Sequence, residues 1–416
     1  MLTRIYFSAA VVVLLIAATV FVIWQRPHSS RLSVANELAS CVSGATDNTQ
    51  IISCSREKIA GLLTQYSTAE LMTNISTGTL PAFFNGCHQV SHLVGEETYK
   101  KAGNLENALA QCTNACSFGC IHGAVGAAVA DILGTEYPDE DIAHASLSEI
   151  EKIGSKYCVN KSICHAIGHI LFINANDFTT SLNACDRVAS GAFKDQCYQG
   201  VFMQGVGDIP DALILGDAPS QKTTTTGDLA YPCDSVAEPY RHACFMYLPQ
   251  YENLIFQQKG IDSISDKFTA AAHVCTMFAG TDRSQCFEGI GQDSNPPGTY
   301  TPLGIFTASS TEVIARCDSL PTHADTQSCL LGRVSIMMQF DQTKDAADVC
   351  STVATEDQSV CYNALFQFNG TMNAYVNPPS ICANAFNTRL CLDKYQEYLQ
   401  VRKTLPDYQF GLFGQN

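Results

Sequence analysis

The spacing of the cysteines constrains the fold of this chain more than any other feature. There are 20 cysteines among 416 residues, and from the middle of the chain onwards they come in pairs with eight to eleven residues between them. These pairs are Cys185/Cys197, Cys233/Cys244, Cys275/Cys286, Cys317/Cys329, Cys350/Cys361 and Cys382/Cys391. An even number of regularly spaced cysteines is typical of disulfide-bonded proteins in an oxidising compartment.

Each pair predicts a disulfide-stapled helical hairpin. The first cysteine lies near the end of one helix, polar residues form the turn, and the second cysteine lies near the start of the next helix. A bond across such a turn closes a loop of about a dozen residues and contributes about 3 kcal/mol on chain-entropy grounds. Successive hairpins recur at periods typical of helical solenoids. The predicted fold is therefore all-α, an α/α solenoid of stapled hairpins behind one N-terminal transmembrane helix.

The cysteines of the N-terminal third are less regular. Their spacing predicts two further bonds, Cys41–Cys54 and Cys158–Cys164. The four cysteines between these two bonds can pair in three ways, because spacing alone does not determine connectivity. Among the three we favour Cys87–Cys116 together with Cys112–Cys120.

One segment of the second half resembles a known repeat family. It contains Ala184-Cys185-Asp186, then Cys197-Tyr198, then Gln204-Gly205-Val206-Gly207-Asp208. These residues resemble the disulfide-stapled, tetratricopeptide-related repeats of secreted bacterial cysteine-rich proteins, the Sel-one-like repeat family. The resemblance covers one repeat in detail and the others only as cysteine spacing, and the connector here is longer than that family usually has. It implies an α/α superhelix used as a binding surface and implies nothing about the histidines.

An uncharged apolar segment near the N-terminus predicts a membrane anchor. Residues 5–24 are long enough for one bilayer-spanning helix, with Arg4 before it and Arg26 after it. A cleaved signal peptide is the alternative, but its apolar core is usually shorter, and no small-residue cleavage site follows before the charged flank. Arginines on both sides leave the positive-inside rule undecided, so the disulfide pattern decides the orientation. We predict a body in the periplasm or extracellular space.

These features divide the chain into six parts. They are a cytoplasmic tip (1–4), the transmembrane anchor (5–24), a stalk (25–36), a His/Cys-rich helical region (37–178), Cys-paired helical repeats (179–400) and a C-terminal tail (401–416). The formal charge is −16, from 40 Asp and Glu against 24 Lys and Arg. This balance argues against a nucleic-acid partner, because phosphate contacts require clustered Lys and Arg. The expected partners are the membrane and a protein or glycan on the solenoid surface.

Five of the ten histidines lie in three cysteine-led segments of the His/Cys-rich region. The segment that begins Cys87-His88 and reaches His92 recurs as one that begins Cys164-His165 and reaches His169. Residues four apart share a helix face, so each pair can point two imidazoles at one place. Between the pairs, His122 lies in a run of Gly and Ala that predicts a thin helix. Helix axes normally lie about 8–10 Å apart, so only a thin middle helix allows the two pairs to meet.

We predict one transition-metal site with these five histidines as ligands, namely His88, His92, His122, His165 and His169. Imidazole-rich sites suit zinc and copper. Covalent haem is not expected, because the chain has no Cys-x-x-Cys-His motif, and non-covalent bis-histidine haem ranks behind zinc and copper. Glu96 continues the row of His88 and His92 by another four residues. Glu96 or its neighbour Glu97 is therefore the candidate acid or base of a metal-assisted hydrolase or oxidase.

The same histidines also have a structural interpretation. Repeat duplication can place histidines at matched positions, where they donate hydrogen bonds to backbone carbonyls at disulfide-bonded turns. The protein would then be a non-catalytic scaffold that binds a protein or glycan. The sequence contains no nucleophile elbow, phosphate loop, dinucleotide fingerprint or zinc-protease motif. Whether the five rings converge is what separates the two function classes.

Overall fold

A computed structural model describes most of the chain after the predicted anchor. It describes residues 33–84, 87–113, 115–116, 118–134, 145–159, 161–191, 193–206, 228–293, 310–339, 343–372, 382, 385 and 387–402. The predicted cytoplasmic tip and anchor lie outside these residues, as do most of the predicted stalk and nearly all of the predicted tail. The regular structure of the described residues is helical, without strands, which confirms the predicted all-α class.

The helices are numbered here in chain order. Those of the first half are α1 (Val34–Gly44), α2 (Asn48–Leu63), α3 (Thr68–Thr77), α4 (Cys87–Ala102), α5 (Leu105–Leu109), α6 (Gly119–Leu133), α7 (Leu147–Tyr157), α8 (Lys161–Ala175), α9 (Phe178–Val188) and α10 (Phe193–Val206). Those of the second half are α11 (Arg241–Gln258), α12 (Ile264–Thr276), α13 (Gly280–Asp293), α14 (Ser310–Asp318), α15 (His323–Gln339), α16 (Thr343–Thr352), α17 (Thr355–Met372) and α18 (Thr388–Arg402). None of these helices combines the length and the hydropathy that a bilayer span requires.

Polar side chains determine where several helices begin. Ser33 accepts a hydrogen bond from a backbone N–H in the first turn of α1, so the end of the predicted stalk is already helical. Ser67 and Glu70 form a capping box at the start of α3, and Ser146 and Glu149 form another at the start of α7. Each cap supplies an acceptor for N–H groups that the first turn cannot bond within the helix.

The eight disulfides that the cysteine spacing predicts and the two that we favoured among the alternatives are all present, and the described residues include no free cysteine. The bonds are Cys41–Cys54, Cys87–Cys116, Cys112–Cys120, Cys158–Cys164, Cys185–Cys197, Cys233–Cys244, Cys275–Cys286, Cys317–Cys329, Cys350–Cys361 and Cys382–Cys391. The hairpin geometry is also as predicted. Cys185 lies in the last turn of α9, and Cys197 lies early in α10.

One row of helices runs through the described part of the molecule. Each member packs on the next in the order α2, α4, α6, α8, α10, α11, α13, α15, α17 and α18. Most of the other helices pack against the row member to which a disulfide or a short turn joins them. The row therefore places α6 between α4 and α8, the two helices that carry the matched histidine pairs.

Glycines allow α4 and α6 to approach unusually closely. A Cβ atom at Gly95 of α4 would overlap the backbone carbonyl of Cys120, and one at Gly123 of α6 would overlap the carbonyl of His92. Because backbone atoms cannot turn aside as a flexible side chain can, the two helices could not lie this close with alanine at either position. The thin middle helix predicted from the sequence is confirmed.

The His/Cys-rich region lies where two hydrophobic cores meet. Val90, Leu93 and Val94 of α4 are buried in a core formed mainly by the first four helices. Ile121 and Ala124 of α6 are buried in a second core, which continues to the end of the described chain. The histidines of α4 and α6 therefore lie at the boundary between the two cores.

Candidate metal centre

The five predicted histidines converge on one place. The ring centroid of His122 lies 5.4 Å from those of His88 and His92, 5.5 Å from that of His165 and 5.6 Å from that of His169. Within the pairs, the centroids are 4.6 Å apart on α4 and 4.9 Å apart on α8. The five rings therefore lie together around His122, and their joint role as metal ligands stays a prediction.

Three of the five rings form a tighter group. His88, His92 and His122 each offer one ring nitrogen, and these three nitrogens lie within 4.8 Å of one another. For two imidazoles bound to one tetrahedral ion through bonds of about 2.0–2.1 Å, we expect centroids about 5 Å apart. The observed centroid distances of 4.6, 5.4 and 5.4 Å bracket that value. This buried group could hold a metal ion with only small adjustments of its rings.

The turn before α6 orients the ring of His88. The Nδ1–H of His88 donates a hydrogen bond to the backbone carbonyl of Cys116 over 2.8 Å. Cys116 and Phe118 both have left-handed backbone conformations, with φ of 56° and 64°, which are unfavourable for residues other than glycine. This hydrogen bond leaves the Nε2 atom of neutral His88 unprotonated, as a metal ligand requires.

The ring of His169 is oriented in the same way by a side chain. Its Nδ1–H donates to the Oε1 atom of Gln204, on α10, over 2.9 Å. The Nε2 atom of His169 is buried and has no hydrogen-bond partner among the described residues, and the same is true of the Nδ1 atom of His122. A buried polar atom without a partner costs about 1–3 kcal/mol, which a bound ion would remove.

The two histidines of α4 share a proton through their Nε2 atoms, which lie 3.0 Å apart. Because the proton of His88 is on Nδ1, the Nε2–H of His92 is the donor in this contact. Two nitrogens on one tetrahedral ion lie only slightly farther apart than this, at about 3.3 Å. An ion can therefore take the place of this proton with little movement of either helix, provided that His92 changes tautomer and carries its proton on Nδ1 instead of Nε2.

The electrostatics of the group favour neutral rings. Burial lowers the pKa of His88, and burial together with the neighbouring imidazoles lowers the pKa values of His92, His122 and His165 well below the ordinary 6.5. The pKa of His169 falls to about 4, mainly through burial. At neutral pH each ring is therefore neutral, with one protonated and one unprotonated nitrogen, which is the form that binds metal ions.

The predicted acid–base residues are engaged in ion pairs. Glu96 is buried, and its carboxylate contacts the Nε atom of Arg56 at 3.1 Å and the Nζ atom of Lys100 at 3.5 Å. Glu97 contacts the same lysine at 2.8 Å. Neither carboxylate belongs to the group of three nitrogens described above. The assignment of Glu96 or Glu97 as acid or base stays a prediction.

The groups that orient the rings could not be identified from sequence patterns. Gln204 lies 35 residues after the histidine it bonds, and Cys116 contributes a backbone atom that no side-chain pattern reveals. His242 lies outside the group of five histidines; its ring contacts Asp195 at 3.0 Å and lies 3.9 Å from Glu288.

Comparison with known protein families, with curated proteins and with solved structures found no match for this chain.

Proposed function

We propose that this protein binds one transition-metal ion through His88, His92 and His122, with His165 and His169 beside that ion. The observation that supports this proposal is the meeting of three buried, neutral imidazoles whose ligand nitrogens lie within 4.8 Å of one another. The hydrogen bond from His88 to a backbone carbonyl fits both interpretations of the histidines. A structural histidine makes such a bond, and a metal-binding histidine uses the same bond to fix its tautomer.

Zinc and copper fit the donor set best. Neutral imidazole nitrogens suit both ions, and the disulfides leave no thiolate to compete. Bis-histidine haem fits poorly, because the ring centroids lie only 4.6–5.6 Å apart and a porphyrin has no room between rings in contact. We therefore propose zinc or copper as the bound ion.

We propose that the metal site belongs to an exported α/α solenoid. Ten disulfides suggest an oxidising compartment outside the cytosol, and the ordered packing of the helix row supports an α/α superhelix. A relation to the Sel-one-like repeats is part of this proposal and rests on the resemblance of residues 184–208 alone. We retain residues 5–24 as the proposed membrane anchor. Binding of a protein or glycan by the solenoid surface is a further proposal, independent of the metal.

Metal analysis of the full-length protein, purified in mild detergent, tests the proposed function. We expect one zinc or copper ion per chain and a melting temperature that falls on treatment with chelator. Replacing His88 and His92 with alanine should abolish stoichiometric binding. His273→Ala is the matched control, because this histidine is exposed on α12, away from the cluster.

Two results would contradict the proposal. One is a wild-type protein that takes up no stoichiometric ion and melts at the same temperature with and without chelator. The other is a double variant that retains the ion, which would show that the ligands lie elsewhere.

A further inference from the structure

A buried metal site needs a route by which the ion leaves water. His88, His92 and His122 are only 5%, 6% and 9% exposed, and they lie between packed helices. A hydrated ion cannot reach three such nitrogens at once, so its water molecules must be replaced one ligand at a time. This inference rests on the proposed function and concerns how the ion reaches the site.

The second histidine pair is placed to begin that exchange. As a residue His165 is partly exposed, although its imidazole is desolvated, whereas the other four histidines are buried. Its helical neighbour His169 is 7% exposed and has a buried Nε2 atom without a hydrogen-bond partner among the described residues. The hydrogen bond from its Nδ1–H to Gln204 leaves this Nε2 lone pair free to accept an ion.

His122 can share an ion with either pair. Its ring centroid lies 5.4 Å from both rings of α4, and 5.5 and 5.6 Å from the two rings of α8. Rings bound to one ion are expected about 5 Å apart, so both sets of centroid distances are compatible with joint coordination. The three ligand nitrogens already lie within 4.8 Å of one another on the α4 side, whereas coordination with the α8 pair requires the rings to rotate. An ion held by His122 can therefore exchange one pair of partners for the other without returning to water.

We propose that His165 and His169 form a receiving pair, which takes the ion from solvent and passes it by way of His122 to the buried group of His88, His92 and His122. One ion occupies the cluster at a time, because two cations among neutral, buried ligands repel each other strongly. The ion rests on the α4 side, where three nitrogens already lie close together. The receiving pair acts on the rates of uptake and release and leaves the equilibrium affinity unchanged.

Stopped-flow binding of Co²⁺ to the full-length, chelator-treated protein tests this inference, because the visible absorption of Co²⁺ reports its ligands. The variants are His165→Ala, which changes the partly exposed histidine alone, and His165→Ala/His169→Ala. We expect uptake and release to slow by the same factor, about tenfold or more, which corresponds to about 1.4 kcal/mol in the barrier. The equilibrium affinity and the Co²⁺ spectrum should match those of the wild-type protein, and His273→Ala should change neither rate.

Three outcomes would overturn the receiving pair. Unchanged rates would show that the ion enters elsewhere. Weaker affinity with an altered spectrum would make these histidines ligands of the resting ion, and two ions per wild-type chain would make them a second site. Each of these outcomes leaves metal binding itself intact, whereas a wild-type protein that binds no Co²⁺ or zinc would refute the proposed function.

Discussion

The close approach of α4 and α6 predicts that one methyl group will disable the metal site. A Cβ atom at position 123 would overlap the carbonyl oxygen of His92. Restoring an ordinary contact of about 3.5 Å requires the helices to separate by on the order of 1 Å. Metal–ligand distances tolerate only about 0.2 Å of variation, so this movement takes His122 out of reach of an ion held by α4. For Gly123→Ala we expect metal affinity to fall about 100-fold or more, or about 2.7 kcal/mol.

The same substitution should have a modest effect on stability. Overpacking costs about 1–3 kcal/mol, and the better helix propensity of alanine returns up to about 1 kcal/mol. Gly332→Ala is the matched control, because a Cβ there would overlap the carbonyl of Glu288 in the distant α13–α15 pair. Chelator-competition titrations and denaturation curves of both variants separate the two effects. Wild-type affinity in Gly123→Ala, or an equal loss of affinity in Gly332→Ala, would refute the reasoning.

Three further predictions follow from the electrostatics and the disulfides. The free energy of unfolding of the chelator-treated protein should fall as the pH drops below about 6.5. The unfolded chain takes up protons there, whereas the buried rings, whose pKa values are lowered, stay neutral; the pKa of His169 is about 4. Each ring contributes up to about 1.4 kcal/mol per pH unit. His242 should contribute in the opposite sense. Burial alone would lower its pKa, but Asp195 and Glu288 raise it above 6.5. The stability lost in His242→Gln should therefore be largest below pH 6.5, stay under about 1 kcal/mol and disappear as the pH rises. Removing Cys87–Cys116 by double serine substitution should lower the free energy of unfolding by about 3–4 kcal/mol. It should also weaken metal binding, because Cys116 supplies the carbonyl that orients His88. Removing Cys350–Cys361 in the same way should lower the free energy of unfolding by about 3 kcal/mol and leave metal binding unchanged.

Denaturant titrations over a range of pH values, together with metal titrations of the disulfide variants, check these predictions. A chelator-treated protein that is equally stable at pH 7 and pH 5 would contradict the neutral cluster. A pH-independent difference between wild type and His242→Gln would contradict the role of Asp195. Equal metal affinity in the two disulfide variants would contradict the orienting role of the Cys116 carbonyl.

The sequence was informative wherever the determining contacts are local. The ten- and eleven-residue spacing predicted hairpin bonds such as Cys185–Cys197, and four-residue spacing placed His88 with His92 on one helix face. Close packing of α6 could also be anticipated, because the small side chains around Gly123 make that helix narrow. These features depend on neighbouring positions in the chain.

What the sequence could not provide depends on contacts between distant segments. Glu96 could be placed in line with the histidines, but its ion pair with Arg56 joins residues 40 positions apart. The hydrogen bond from His169 to Gln204 depends on how α8 and α10 are aligned, and the cysteine spacing does not determine that alignment. The left-handed conformation of Phe118 has no sequence signal either, because such a conformation is ordinarily the property of glycine.

The meeting of the two hydrophobic cores at the histidines has a mechanical consequence. The chain itself and the Cys87–Cys116 disulfide already join α4 to the turn before α6, and an ion bound between the two helices would add a further cross-link at the boundary of the two cores. Heating the chelated protein should then melt the N-terminal core separately from the rest, whereas the loaded protein should lose both in one cooperative step.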